Sequence, residues 1–250
     1  MPTIPIKTKE QIRAMREGGK IHAEVMCQIK QKANIGTSTF ELDLLTKKLC
    51  KKYNVIPSFL GYQGFPGAIC ASVNDEIVHG IPGKRKLQDG DILKIDLGIF
   101  HKGLHTDACQ TIAIGRISKQ AKKLSRTTKK CLQKAIELCK ADNHLGDISH
   151  VIQKTAEQQG FSIVRNLTGH GIGEKLHEPP QILNYGKKGK GIILQPGMAF
   201  AIEPILTYGS PENITLDDDW AVVTCDGSLS AHFEHTILIT ENEPEILTLN

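Results

Sequence analysis

The chain contains His79-Gly80-Ile81, then Leu87-Gln88-Asp89-Gly90, then Ile95-Asp96, and closes the phrase with His105-Thr106-Asp107 before Thr111-Ile112. The phrase returns as His170-Gly171-Ile172, Leu194-Gln195-Pro196-Gly197, Ile202-Glu203, and His232-Phe233-Glu234 before Thr236-Ile237. In both copies the first acid lies six positions after the glycine. The repetition reads as a duplicated half-domain that sets matching carboxylates on matching strands, with His79 the partner of His170. Like charges directly opposed on antiparallel strands destabilise the pair, and a bound cation reverses that sign. A two-fold-like metal site is expected.

Working outward, each copy follows two stretches of helical periodicity. Ile12, Met15, Val25, Met26 and Ile29 mark a helix over 8–32, and Leu42, Leu45 and Leu49 mark a second after Gly36-Thr37-Ser38. Later, Leu124, Leu132, Ala135, Ile136 and Cys139 recur over 118–140, and Gly146-Asp147 opens a helix carrying Ile148, Val151 and Ile152. Strand patterns cover 91–100, 104–114, 198–206, 221–225 and 233–240. Helices grouped ahead of strands predict an α+β fold with antiparallel ribbons. The join falls near 115–118, so the halves are about 1–115 and 116–250 of one catalytic domain spanning 1–250.

Composition is that of an ordinary globular chain: 250 residues, 40% hydrophobic and 23% charged. No apolar run is long enough to cross a membrane, and the start lacks the pattern of a signal peptide, so a cytoplasmic location and no membrane partner are expected. Seven cysteines without a Cys-x-x-Cys pair read as reduced thiols, several in the core. A net charge of +4 does not call for a sequence-specific nucleic-acid partner. The lysines and arginine of 122–134 read as a solvated helix face.

His101-Lys102-Gly103 interrupts the strand pattern between Asp96 and Asp107, as a hairpin turn bringing the two acids face to face. Glu203 follows the apolar run Ala199-Phe200-Ala201-Ile202, where an unpaired carboxylate costs several kcal/mol or takes up a proton. Glu234 completes four acids. His170, between Gly169, Gly171 and Gly173, is the best imidazole ligand. Such a set suits two divalent ions sharing an acidified water, with a glutamate to take its proton, and predicts hydrolysis. His79 and His177 are candidates to polarise a substrate amide, His177 presented by a stiff turn at Glu178-Pro179-Pro180.

Over nearly its whole length the chain resembles the type I methionine aminopeptidases of the pita-bread fold. The resemblance rests on Lys94-Ile95-Asp96, His105-Thr106-Asp107, Gly169-His170-Gly171-Ile172-Gly173, Ile202-Glu203-Pro204 and Glu234-His235-Thr236. It implies that Asp96, Asp107, His170, Glu203 and Glu234 hold two divalent ions (Co, Mn, Fe or Zn), with Glu203 the bridging general base and His79 and His177 the histidines that contact substrate. It further implies a specificity pocket of Tyr62, Phe65, Cys70 and Trp220, suited to an unbranched thioether side chain. Phe59, Leu176, Gly67-Ala68 and Pro179 depart from the family pattern and bear on the shape of that pocket. The implied activity is removal of the initiator methionine from peptides and nascent chains whose second residue is small and uncharged. A monomer is expected, with the ribosome surface a partner for the basic helix. Proline-directed relatives of the same fold carry a large extra N-terminal domain, for which the start of this chain leaves no room.

Overall fold

The computed structural model describes residues 4–249. Two pairs of helices, α1 (Lys9–Lys32) with α2 (Thr39–Tyr53) and α3 (Lys119–Glu137) with α4 (Leu145–Glu157), flank two antiparallel ribbons. Their starts are fixed locally. Thr8 and Gln11 form a capping box for α1, Ser38 and Glu41 do so for α2, and the Ser118 hydroxyl accepts from the Ala121 N–H of α3. The buried faces follow the periodicity in the sequence. Val25, Met26, Ile29, Leu42 and Leu49 form one core with Ile95 and Leu97 of the first ribbon, while Leu124, Leu132, Ile148 and Ile152 form another with Phe200, Ile202 and Ile237. A third cluster takes Met15, Phe65 and Leu104 from one half and Ile172, Leu176 and Leu238 from the other.

The first ribbon pairs Ile92–His101 with Leu104–Ala113 through a two-residue turn, Lys102 and Gly103, both at positive φ. That turn sets Asp96 opposite Cys109 and Asp107 opposite Gly98, rather than acid against acid. Asp96 and Asp107 are therefore diagonal neighbours on one face of the ribbon. The expectation of a direct pair fails because the turn is centred one residue later than the midpoint between the acids.

The second ribbon is broken. Ala199–Ile202 pairs with His235–Leu238, and Ile205–Thr207 pairs with Ser230–His232. The single strand expected over 198–206 is interrupted at Glu203-Pro204, where proline has no N–H to give to the ladder. Continuing both registers across the break sets Glu203 opposite Glu234. Gly90 and Gly197 play the same part in the two halves: their N–H groups donate to the carbonyls of Ile114 and Ile239, at 2.9 Å each.

Those two bonds align the halves and correct the repeat in two places. Glu203 takes the position of Asp96, as expected, but Glu234 takes that of Cys109, and His232 that of Asp107. His170 lies in a strand (Gly169–Gly171) paired with the second ribbon at Ala201, where the first half has Ser72 opposite Lys94. His79 is thus not the positional partner of His170; it follows the strand Glu76–Val78 with φ +59°. Glu178-Pro179-Pro180 is also not a turn. It begins the strand Glu178–Ile182 at the edge of the five-stranded sheet, where prolines are tolerated.

The ribbons meet along a seam of reciprocal threonine bonds. The Thr236 hydroxyl accepts from the Asp107 N–H and donates to the Asp107 carbonyl, both at 2.8 Å. Across the pseudo-two-fold, the Thr111 hydroxyl accepts from the His232 N–H at 2.9 Å and donates to its carbonyl at 2.7 Å. Between them the Glu234 N–H donates to the Cys109 carbonyl at 2.9 Å.

Behind the first ribbon, His22 of α1 is fully buried with Nε2 2.5 Å from the Leu97 carbonyl oxygen. Burial holds its pKa down to about 4. The folded chain therefore binds fewer protons there than the unfolded chain, so this contribution is complete above about pH 6.5 and is lost as the pH falls towards 4, by about 2 kcal/mol at about pH 5. His22→Gln should show a smaller fall in thermal midpoint between about pH 7 and about pH 5 than the parent; equal falls would show that His22 titrates normally.

Candidate metal centre and substrate cavity

A cavity of about 190 Å³ opens where the ribbons meet, and every site residue expected from the sequence lines it. The first ribbon supplies Asp96 and Asp107, the break in the second supplies Glu203, and Glu234 follows Ser230–His232. His170 enters from Gly169–Gly171, whose glycines are required: a Cβ at Gly171 would collide with the Pro179 carbonyl, and one at Gly169 would lie 2.5 Å from that of Ala201. Apolar walls come from Phe59, Phe65, Leu176 and Trp220, and Tyr62, Cys70, His79 and His177 line the same cavity. Phe65 and Trp220 meet edge to face at a centroid separation of 5.0 Å.

The acids are held in a medium that resists their charge. Burial pushes Asp96 up to about 7. It also drives Asp107, Glu203 and Glu234 well above the carboxylate range, reinforced for Asp107 by Glu234 and Asp96, for Glu203 by Asp96 and Asp107, and for Glu234 by Glu203 and Asp96. Among the described residues no lysine or arginine pairs with any of the four. Lys94, two positions from Asp96, spends its ammonium on the Asn74 carbonyl at 2.7 Å and on Ser230. Among the described residues, Asp96 Oδ1, Asp107 Oδ1, Glu234 Oε1 and His232 Nε2 are buried without a hydrogen-bond partner. Four converging carboxylates, three of them with an orphaned oxygen, fit divalent cations.

The imidazoles agree. His170 Nδ1–H donates to the Gly171 carbonyl at 2.9 Å, which leaves Nε2 as a lone pair facing Glu203 Oε1 at 3.8 Å. Burial lowers its pKa to about 3, keeping it neutral and able to ligate. Donor atoms of Asp107, His170 and Glu234 lie within 4.8 Å of one another. His79 and His177 are lowered chiefly by burial, His79 also by its proximity to His177. The Tyr62 hydroxyl and His177 Nδ1 are 2.8 Å apart; with the hydroxyl donating, His177 keeps its proton on Nε2.

Two residues at this centre were not singled out by the sequence reading. His232 lines the cavity with Nε2 3.5 Å from Glu203 Oε2 and 3.9 Å from Glu234 Oε2, and Cys109 lies directly opposite Asp96. The clue was the spacing from Thr111-Ile112 to Thr236-Ile237, which is two residues out of step with an alignment of Asp107 on Glu234.

Comparison with known proteins agrees with this geometry. The profile of metallopeptidase family M24 matches residues 13–241. A methionine aminopeptidase of Clostridium perfringens is 47% identical over 98% of this chain and 99% of its own length, and methionine aminopeptidase 1 of Bacillus subtilis is 49% identical over 97% and 98%. The crystal structure of a methionine aminopeptidase from Thermotoga maritima superposes with a TM-score of 0.97 at 44% identity, covering 99% of this chain and all of that one. A prolidase from Pyrococcus furiosus shares the fold with a TM-score of 0.81 at 21% identity, over 98% of this chain and 65% of its own.

Binding of a divalent ion at about 100 times its dissociation constant stabilises the folded state by about 2.7 kcal/mol. For a chain of this size that raises the thermal midpoint by about 5 to 10 °C. Calorimetry with and without chelator should show this shift, while far-ultraviolet circular dichroism of the stripped protein stays native because the apolar cores are built without the acids; loss of the native spectrum would mean that the metal builds the scaffold.

Proposed function

The chain belongs to metallopeptidase family M24, and from that premise we propose that it is a methionine aminopeptidase, removing the N-terminal methionine from peptides and nascent chains whose second residue is small and uncharged. The observation that carries the reading is one cavity in which a cluster of buried acids adjoins an apolar slot rimmed by Phe65 and Trp220. An unbranched thioether side chain fits such a slot. Full-length relatives at 42% to 49% identity bearing that activity in their names support it.

In this reading Asp96, Asp107, His170, Glu203 and Glu234 hold two divalent ions, of cobalt, manganese, iron or zinc. When bound, such ions polarise the scissile carbonyl and bring the pKa of a water near neutrality. Glu203, lying between His170 and His232, would accept the proton of the attacking water. His177, its tautomer set by Tyr62, donates from Nε2 to the carbonyl oxygen as charge develops there, and His79 is the second histidine of the cavity available to contact substrate. Phe59, Phe65 and Leu176 exclude water from the side-chain slot.

A cytoplasmic monomer working at the ribosome completes the proposal. The basic face of α3, where Lys119, Lys122, Lys123, Arg126 and Lys130 line an open groove, is a surface suited to ribosomal phosphate.

Hydrolysis of Met-Ala-Ser, Ala-Ala-Ser and Ala-Pro-Ala by stripped and metal-loaded protein tests the reading. Metal-dependent release of methionine alone is expected; cleavage of Ala-Pro-Ala would assign the chain to proline-directed chemistry instead. Glu203→Ala should lower kcat by about 10² to 10⁴. His177→Ala should lower it by about 10² with metal content unchanged, and a parallel loss of metal would contradict its role as donor.

A further inference from the structure

Asp96, Cys109 and His232 bring a carboxylate oxygen, a thiol and an imidazole nitrogen within 4.8 Å of one another. We propose that these three side chains form a mixed oxygen, sulfur and nitrogen seat for one of the two ions, so that the metal centre of this chain is chemically lopsided. This goes beyond the five-ligand set above and rests on it only in taking Asp96 as a ligand.

The geometry comes from the corrected register. Cys109 is the cross-strand partner of Asp96, so their side chains share one face of the first ribbon, and Asp107 lies two positions before Cys109 on that face. His232 arrives from the other half of the molecule. The reciprocal bonds to Thr111 lock its backbone, and its carbonyl receives the Cys109 thiol at 3.8 Å. His232 is 2% exposed, and its Nε2 is buried without a hydrogen-bond partner although it points among acids. A buried, unpartnered imidazole nitrogen beside a carboxylate and a thiol is the signature of a ligand position.

Glu203 divides the two seats. Its Oε1 faces His170, which groups with Asp107 and Glu234, while its Oε2 faces His232. One ion then meets oxygen with a single nitrogen, and the other meets Asp96, His232 and a thiolate. On coordination the Cys109 thiol gives up its proton to the buffer and forms one sulfur–metal bond. Sulfur ligation favours zinc and cobalt over manganese, so the two seats should differ in metal preference.

Cobalt(II) reads the difference directly. The stripped protein is titrated with cobalt to two equivalents and followed by near-ultraviolet absorption, where thiolate ligation gives a charge-transfer band. The band is expected in the parent and in Cys70→Ser, the other thiol beside the cavity, and should be absent in Cys109→Ser. His232→Gln should weaken binding of the equivalent that produces the band by on the order of 10-fold or more. Cadmium NMR of the unmutated protein gives the same answer without relying on a variant to fold, since a sulfur ligand moves the resonance far from that of an oxygen and nitrogen site. Two bound equivalents with no thiolate band, a band that survives Cys109→Ser, or a cadmium resonance without sulfur character each overturn the proposal while leaving the five-ligand set intact. Failure to bind cobalt at all would instead remove that set and this seat together.

Discussion

Four carboxylates crowded into one cavity, Asp107 and Glu234 buried and Asp96 and Glu203 half-buried, are the constraint on which this structure turns. Burial and mutual repulsion oppose their ionisation, and Lys94, the nearest buried cation in sequence, is committed to Asn74 and Ser230. The chain nevertheless holds the acids in place with a backbone seam they do not themselves stabilise. Thr111 and Thr236 each satisfy an N–H and a carbonyl of the opposite half, so the ribbons are joined by neutral hydrogen bonds while the charged groups stay free to bind a cation.

Scaffold and site are thereby separated energetically. Each helix pair encloses an apolar core with its own ribbon, and a third cluster ties the halves beside the cavity. These cores carry the hydrophobic stabilisation, which leaves the acid cluster free to be unfavourable until a cation arrives. The break at Glu203-Pro204 serves the same end. Proline ends the ladder where Glu203 must turn away from its apolar neighbours, and the register sets it across from Glu234.

The two halves are alike in backbone and unlike in chemistry. Gly90 and Gly197 donate the same backbone hydrogen bond, yet equivalent positions hold Asp107 and His232, Cys109 and Glu234, Ser72 and His170. The matching registers supply the frame, and differences at a few inward-facing positions set carboxylates on one side of the cavity and an apolar slot on the other. The family to which the chain belongs uses that frame for metal-dependent peptide hydrolysis.

Much of this was legible in the sequence because it is locally encoded. The helices declared themselves through apolar periodicity, and the acids through a repeated phrase whose residues, once buried, admit few explanations. Cavity residues as distant as Tyr62 and Trp220 came only through resemblance to a family, since nothing in their spacing foretells that they meet. What the sequence could not decide was register. A turn centred one residue later moved Asp107 from opposite Asp96 to its diagonal, and a two-residue offset between the copies exchanged the partners of Cys109, His232 and Glu234. Strand side chains alternate with a period of two, so which groups share a face and which meet across the seam is set by hydrogen-bond pairing between segments far apart in the chain, and only the folded structure fixes that pairing.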